Sequence, residues 1–215
     1  MHAIPTALPS SAPETGSGAV PCNHAPARFA PHGVLSGQHT TEIVRTLGQL
    51  KGLFSDETAR TALPAERVVY RVQTHLPVPE GTPGGLFFGV TFIEPGLVGD
   101  EYFMTRGHLH ARREAAEYYW GIEGEGLLLL RDAEGRCRAE MIRPGSLHYV
   151  PGHTAHRTVN TGCTTLVFGA CWPADAGHDY ETIASQGFGV RAVRRSEDGV
   201  AVLVPEVNLN RSSAA

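Results

Sequence analysis

Glu117-Tyr118-Tyr119-Trp120-Gly121-Ile122-Glu123-Gly124-Glu125-Gly126-Leu127-Leu128-Leu129-Leu130-Arg131-Asp132 decides the fold. Two runs of aromatic and aliphatic residues, 117–122 and 126–131, are separated by Gly124 and closed by Asp132. Short apolar runs bounded by turn formers read as β-strands.

Working outward, further segments with β-branched or aromatic content cover 67–76, 86–94, 101–108, 137–142, 147–151, 155–160 and 164–172. Pro77, Pro79, Pro95-Gly96, Gly135, Pro144-Gly145, Gly152 and Gly162 punctuate them. Many short strands at near-regular spacing predict an all-β sandwich or barrel. One more hairpin is expected from 190–195 and 200–204 across a Ser-Glu-Asp-Gly turn. Towards the N-terminus, Ile43, Val44, Leu47, Leu50 and Phe54 recur at helical spacing, with Thr40 or Thr41 to cap the start and Gly52 to end it. A second short helix is expected over 56–63, stopped by Pro64. Residues 1–30 are rich in Pro, Ala, Ser and Gly and too poor in large apolar groups to offset their own ordering entropy, which predicts a disordered extension. The remainder, 31–215, reads as a single domain without internal repeats.

The bulk numbers exclude several classes. The chain has 215 residues, with 18 basic against 22 acidic side chains and a formal charge of −4. That balance makes no case for nucleic acid or an anionic membrane as partner. Lys51 is the sole lysine and falls in an expected surface helix, which argues against Schiff-base chemistry. Cys22, Cys137, Cys163 and Cys171 form no CxxC pair and read as free thiols of a reducing compartment. With neither a long apolar stretch nor a signal-peptide pattern, a cytoplasmic location is expected.

Two histidine-bearing segments carry the chemistry. The first is Gly107-His108-Leu109-His110, followed by Glu117; the second is Pro151-Gly152-His153-Thr154-Ala155-His156, followed by Asn160. Residues two apart on a strand share a face, so His108 and His110 project together. Adding Glu117 and His156 from neighbouring strands completes a set of three imidazoles and one carboxylate, suited to Fe, Mn, Ni, Co or Zn. Glu114 is the rival carboxylate, but its Arg-Arg-Glu context reads as a solvated turn. His153 is read as a loop histidine or a substrate partner, and His148 as surface or structural. Thr91, Thr105, Arg106 and Gly107 offer hydroxyl, guanidinium and backbone N–H donors suited to a phosphate, or equally serve as ordinary strand and turn residues. Tyr119 shares the face of Glu117 and either lines a cavity or packs in the core. Gly177-His178-Asp179-Tyr180 forms a polar cluster that meets a ligand at the rim or simply turns the chain.

Phe103-Met104-Thr105-Arg106-Gly107-His108-Leu109-His110, Ala116-Glu117-Tyr118-Tyr119, Ala155-His156-Arg157-Thr158-Val159-Asn160-Thr161-Gly162 and Pro173-Ala174-Asp175-Ala176-Gly177-His178-Asp179-Tyr180 resemble the cupin superfamily, and within it the cupin-type glucose-6-phosphate isomerases. The resemblance implies a cupin double-stranded β-helix (jelly-roll) barrel with one or two short N-terminal helices. It implies a homodimer holding one divalent metal per subunit, most often iron, with Mn, Ni, Co or Zn able to substitute. It implies interconversion of glucose 6-phosphate and fructose 6-phosphate in glycolysis and gluconeogenesis. By matching position it makes His108, His110, Glu117 and His156 metal ligands, sets Thr91, Thr105 and Gly107 near the phosphate, and puts Tyr119, His178 and Tyr180 around the sugar. Three features depart from the family pattern: Trp172 stands where a tyrosine is usual, Gly152-His153 replaces a bulkier pair, and the N-terminal extension is unusual.

Aldose–ketose isomerisation moves a proton between C1 and C2 through an enediol, and Glu117 is the family's candidate base. A metal-assisted hydride shift is the rival route. Two other classes share this ligand set: a cupin metal-dependent dioxygenase, and a non-catalytic sugar-phosphate-binding cupin. The phosphate-type donors at Thr105 and Gly107 argue against the dioxygenase.

Overall fold

The computed structural model describes residues 26–195 and 200–206. In chain order the elements are β1 (Arg28–Phe29), β2 (Leu35–Ser36), β3 (Thr40–Thr46), α1 (Glu57–Thr61), β4 (Val68–His75), β5 (Leu86–Ile93), β6 (Leu97–Val98), β7 (Glu101–Tyr102), β8 (Glu117–Glu123), β9 (Gly126–Arg131), β10 (Cys137–Ile142), β11 (Leu147–Val150), β12 (Ala155–Val159), β13 (Leu166–Pro173), α2 (Glu181–Gln186), β14 (Val190–Arg194) and β15 (Ala201–Pro205). A six-stranded sheet runs β11-β8-β13-β5-β4-β3 and a three-stranded sheet runs β10-β9-β12, all pairs antiparallel. One buried cluster joins them, with Leu128, Leu130, Ile142 and Val159 of the smaller sheet meeting Tyr119, Phe168 and Ala170 of the larger. This is an all-β sandwich, one of the two forms expected from the strand pattern. No helix among the described residues is long and apolar enough to cross a membrane.

The helix expected from Ile43 to Phe54 is not formed. Thr40–Thr46 is strand β3, and Leu47–Leu50 is a single 3-10 turn. The apolar spacing divides between two elements. Ile43 and Val44 lie on a strand that pairs along β4, while Leu47 and Leu50 are fully buried plugs. A run with three threonines, Ile and Val fits a pleated surface, and sheet pairing overrides a helical period this weak. Lys51 lies in the turn that follows rather than on a helix. The second helix does form as α1, where Asp56 Oδ1 accepts from the Ala59 N–H at 2.8 Å, an N-cap bond. α2 and the β1–β2 ribbon carried no clear sequence signal.

Of the extension expected over 1–30, residues 1–25 lie outside the described residues, and Arg28–Phe29 pairs with Leu35–Ser36. The Ser-Glu-Asp-Gly turn also lies outside them, although both of its flanking strands form as expected. Cys137, Cys163 and Cys171 are free thiols; Cys22 falls outside the description.

The larger sheet is concave, and the two-residue period of its strands lines the hollow. Ile43 and Arg45 of β3, Tyr70, Val72 and Thr74 of β4, Gly89 and Thr91 of β5, Glu117 and Tyr119 of β8, and Phe168, Ala170 and Trp172 of β13 face a cavity of about 190 Å3. Close packing behind it leaves no room at Gly169, where a Cβ would come 2.2 Å from the Trp120 ring. Gly169 has no left-handed backbone requirement, so its substitution tests crowding alone. Gly169→Ala is expected to destabilise the fold by about 1–3 kcal/mol. The corresponding fall in melting temperature, roughly 3–10 °C for a chain of this size, is measurable by calorimetry. An unchanged melting temperature would show that the Trp120 packing yields freely.

Candidate metal centre

The centre begins with a backbone pairing. His108 N–H donates to His156 O at 3.1 Å, and His156 N–H donates to His108 O at 3.0 Å. Two residues that exchange both bonds lie directly opposite and project to the same side. Their imidazoles accordingly meet, with His108 Nε2 and His156 Nε2 3.0 Å apart. Gly107 permits the approach: its φ is +73°, and a Cβ there would lie 3.1 Å from His156 O and from Arg157.

His110 follows on the same face, and Glu117 enters as the first residue of β8. The loop of residues 111–116 lies between them. His110 Nδ1 hydrogen-bonds Ala115 O at 2.9 Å, and His156 Nδ1 bonds Thr154 O at 3.2 Å. Committing Nδ1 to a carbonyl orients each ring and turns Nε2 inward. His110 Nε2 stands 3.6 Å from Glu117 Oε1, and His156 Nε2 stands 2.6 Å from the same oxygen without the alignment of a hydrogen bond. His110 Nε2 and Glu117 Oε1 are thus buried with no hydrogen-bond partner.

One potential ligand atom from each of His108, His110, Glu117 and His156 lies within 4.8 Å of the others. A single ion with bonds of roughly 2.0–2.2 Å can span such a set. The electrostatics agree with the donor chemistry. Burial, followed by the neighbouring histidines, pushes the His108 pKa well below its usual value, and burial also lowers that of His110. Both are thereby held in the neutral form that ligates. Burial opposes charge on His156 too, but the Glu117 carboxylate beside it raises its pKa overall. The residues present therefore fit a divalent ion, and the cluster can bind one. Glu114, the rival carboxylate, is exposed and stands outside the cluster.

The other expected site residues line the same cavity: Thr91, Thr105, Gly107, Tyr119, His178 and Tyr180. Thr105 Oγ1 accepts from the Thr158 N–H at 3.0 Å, leaving its own hydroxyl proton to donate elsewhere. The rings of His178 and Tyr180 stack on each other at 5.7 Å and reach the His108 ring at 4.6 and 5.3 Å. Burial, and then the Glu117 charge, raises the Tyr119 pKa well above normal, so its hydroxyl stays a donor. Trp172 forms an apolar wall, edge-on to Phe87 and His178.

Several cavity residues were missed, Arg45 and Tyr70 among them. Arg45 and Tyr70 sit opposite each other on β3 and β4. The helical reading of 40–54 concealed the alternation of Ile43 with Arg45, which was the available signal. His153 lies outside the cluster, exposed at φ +60°. His148 is structural, bonding Glu140 Oε2 at 2.8 Å and Ser146 Oγ at 2.9 Å. Asn160 locks a turn: its Nδ2 donates to Ile93 O and Thr164 O, and its Oδ1 accepts from Gly162 N–H.

Comparison with known proteins gives a consistent result. Residues 44–208 match the family model described as Glucose-6-phosphate isomerase (GPI). Glucose-6-phosphate isomerase of Pyrococcus horikoshii is 46% identical over 158 residues, covering 73% of this chain and 82% of the relative. The enzyme of that name from Thermococcus kodakarensis is 45% identical over 168 residues, covering 78% and 86%. Among solved structures, oxalate decarboxylase from Bacillus subtilis aligns at TM-score 0.40 and 20% identity, over 51% of this chain and 26% of that one.

An ion bound only by the folded chain stabilises it by mass action. Adding Fe²⁺ or Mn²⁺ to EDTA-stripped protein at about a hundred times its dissociation constant is expected to add about 2.7 kcal/mol. That corresponds to a rise of roughly 5–10 °C in melting temperature. His110→Ala should abolish most of the rise. A stripped protein whose melting is indifferent to every divalent ion would count against the cluster as a metal centre.

Proposed function

The chain belongs to the glucose-6-phosphate isomerase family, and from that membership we propose how its cavity interconverts glucose 6-phosphate and fructose 6-phosphate. The observation that carries the reading is the pair of buried, unpartnered atoms, His110 Nε2 and Glu117 Oε1, in a cluster that opens through His108, Glu117 and His156 onto a cavity lined by hydroxyls, two arginines and apolar side chains. In this reading His108, His110, Glu117 and His156 hold one divalent ion, iron first, with Mn, Ni, Co or Zn as substitutes. When bound, the ion supplies Lewis acidity to the charge that develops on O1 and O2.

The chain's own residues do the rest. Thr91, the Thr105 hydroxyl and the Gly107 N–H donate to the phosphate, with Arg45 and Arg106 adding charge from the same wall. Tyr119, His178 and Tyr180 close around the sugar. With the aldose open and bound, the Glu117 carboxylate takes the C2 proton. The electrons of that C–H bond become the C1–C2 double bond of an enediol as O1 gains a proton. The proton held by Glu117 returns at C1, and loss of the O2 proton leaves the ketose. A homodimer, a cytoplasmic location and a place in glycolysis and gluconeogenesis complete the reading and rest on family membership.

The test is fructose-6-phosphate isomerisation by stripped protein before and after Fe²⁺, Mn²⁺, Ni²⁺ or Zn²⁺ is restored, run in D2O. Turnover should return with the ion, and the product should carry solvent deuterium. Glu117→Gln, reloaded to the same metal content, should lose roughly 10²–10⁴-fold in kcat. Complete retention of the substrate hydrogen would reject Glu117 as base in favour of a hydride shift.

A further inference from the structure

We propose that Arg113 is a positioning residue for the isomerisation, acting through Asp179 to hold His178 and Tyr180 against the ligand-bearing segment. The proposal rests on the assignment of the cavity as the sugar-phosphate site.

Arg113 stands in the loop that joins His110 to Glu117, and it meets the His110 segment, the rim at Asp179 and the loop leading to His156. Its NH1 donates to His110 O at 3.0 Å. Its NH2 forms an ion pair with Asp179 Oδ2. Its own carbonyl accepts from the His153 N–H, in the loop leading to His156. That loop fits beneath it because a Cβ on Gly152 would come within 2.9 Å of Arg113 O.

Asp179 is fixed from its other sides. Its N–H donates to Leu109 O at 2.7 Å, and its carbonyl accepts from Leu109 N–H at 3.2 Å. Its Oδ1 accepts from Thr182 N–H at 3.0 Å, and its Oδ2 from Thr182 Oγ1 at 2.7 Å, at the start of α2. Leu109 and Asp179 therefore form a one-residue ladder between the ligand segment and the chain crossing the cavity rim. Strand alternation turns Asp179 outwards to Arg113 and both of its neighbours inwards, where His178 and Tyr180 meet the His108 ring.

A half-exposed ion pair contributes little to stability by itself. Its effect here is geometric, because the same guanidinium grips the His110 carbonyl. A second pair supplies an internal control. Arg112 NH2 and Asp175 Oδ1 stand 2.9 Å apart and join the same two loops, with Arg112 N–H donating to Ala176 O. The hydrogen bond of the Arg112 side chain goes to Asp175 rather than to the His110 carbonyl or to Asp179, although its charge is also felt at His110.

The experiment compares Arg113→Gln, Asp179→Asn, their double variant, Arg113→Lys and Arg112→Gln in the metal-loaded enzyme with fructose 6-phosphate. KM, kcat and metal per subunit by elemental analysis are measured for each. Arg113→Gln and Asp179→Asn should each raise KM about tenfold, the scale of one charge-assisted hydrogen bond, with kcat within about threefold. Metal content should hold at the wild-type level, the double variant should be no worse than the worse single one, and Arg113→Lys should recover part of the loss. Arg112→Gln should keep the wild-type KM. An equal KM rise in Arg112→Gln, additive effects in the double variant, or loss of bound metal alongside kcat would overturn the proposal and leave Arg113 a scaffold residue. Metal-independent turnover in the wild type would strike the site assignment itself, and is seen before any variant is made.

Discussion

The reciprocal backbone pairing of His108 with His156 is the constraint on which the rest depends. It is one rung of ladder between a short crossing segment and β12. Without it, two imidazoles 48 positions apart would have no reason to share a side. With it, their Nε2 atoms meet, and His110, two residues on, must follow. The rung needs Gly107 before it, because the backbone there is left-handed and pressed against Arg157. It also draws in Arg157, whose buried guanidinium donates to Arg106 O at 2.7 Å and lies over the Phe188 ring. Burial lowers the pKa of that guanidinium to about 10. The chain accepts a buried charge in order to hold the backbone that carries the ligands.

Strand positions were legible because each strand is a short apolar run between turn formers. β5, β8, β9, β10, β12 and β13 all fall within about two residues of expectation. The failure at 40–54 has a definite cause. Five apolar residues at near-helical spacing satisfy a helix pattern locally, yet only Leu47, Leu50 and Phe54 reach the core. Ile43 and Val44 are largely exposed on an edge strand whose formation depends on β4. Long-range pairing is invisible to a local period. Strand β3 was lost for that reason, and Arg45 with it.

The centre was legible for a different reason: ligand chemistry constrains residue type more tightly than packing does. His, Glu and the intervening spacing can be read directly, whereas the choice of Glu117 over Glu114 depended on which carboxylate begins a strand. The structure separates them by burial, with Glu117 sealed and Glu114 in solvent. Arg113 illustrates the opposite case. In sequence it sits in a charge cluster that reads as a solvated turn. Only the placement of Asp179, 66 positions later, turns it towards the site. Side chains that act through a partner distant in sequence leave no motif.

The unpartnered atoms at the centre connect stability with activity. A buried polar atom left without a partner costs about 1–3 kcal/mol, and His110 Nε2 and Glu117 Oε1 are both in that state. His156 Nε2 stands 2.6 Å from Glu117 Oε1 without the alignment of a hydrogen bond, and Ala115 O and Thr154 O are spent on the outer nitrogens of His110 and His156. In the proposed reading, a divalent ion that satisfies both atoms would contribute to folding and to substrate activation through the same contacts. Sequence changes that relieve the strain, such as replacing Glu117 by an apolar residue of similar size, would then stabilise the stripped protein while removing its chemistry.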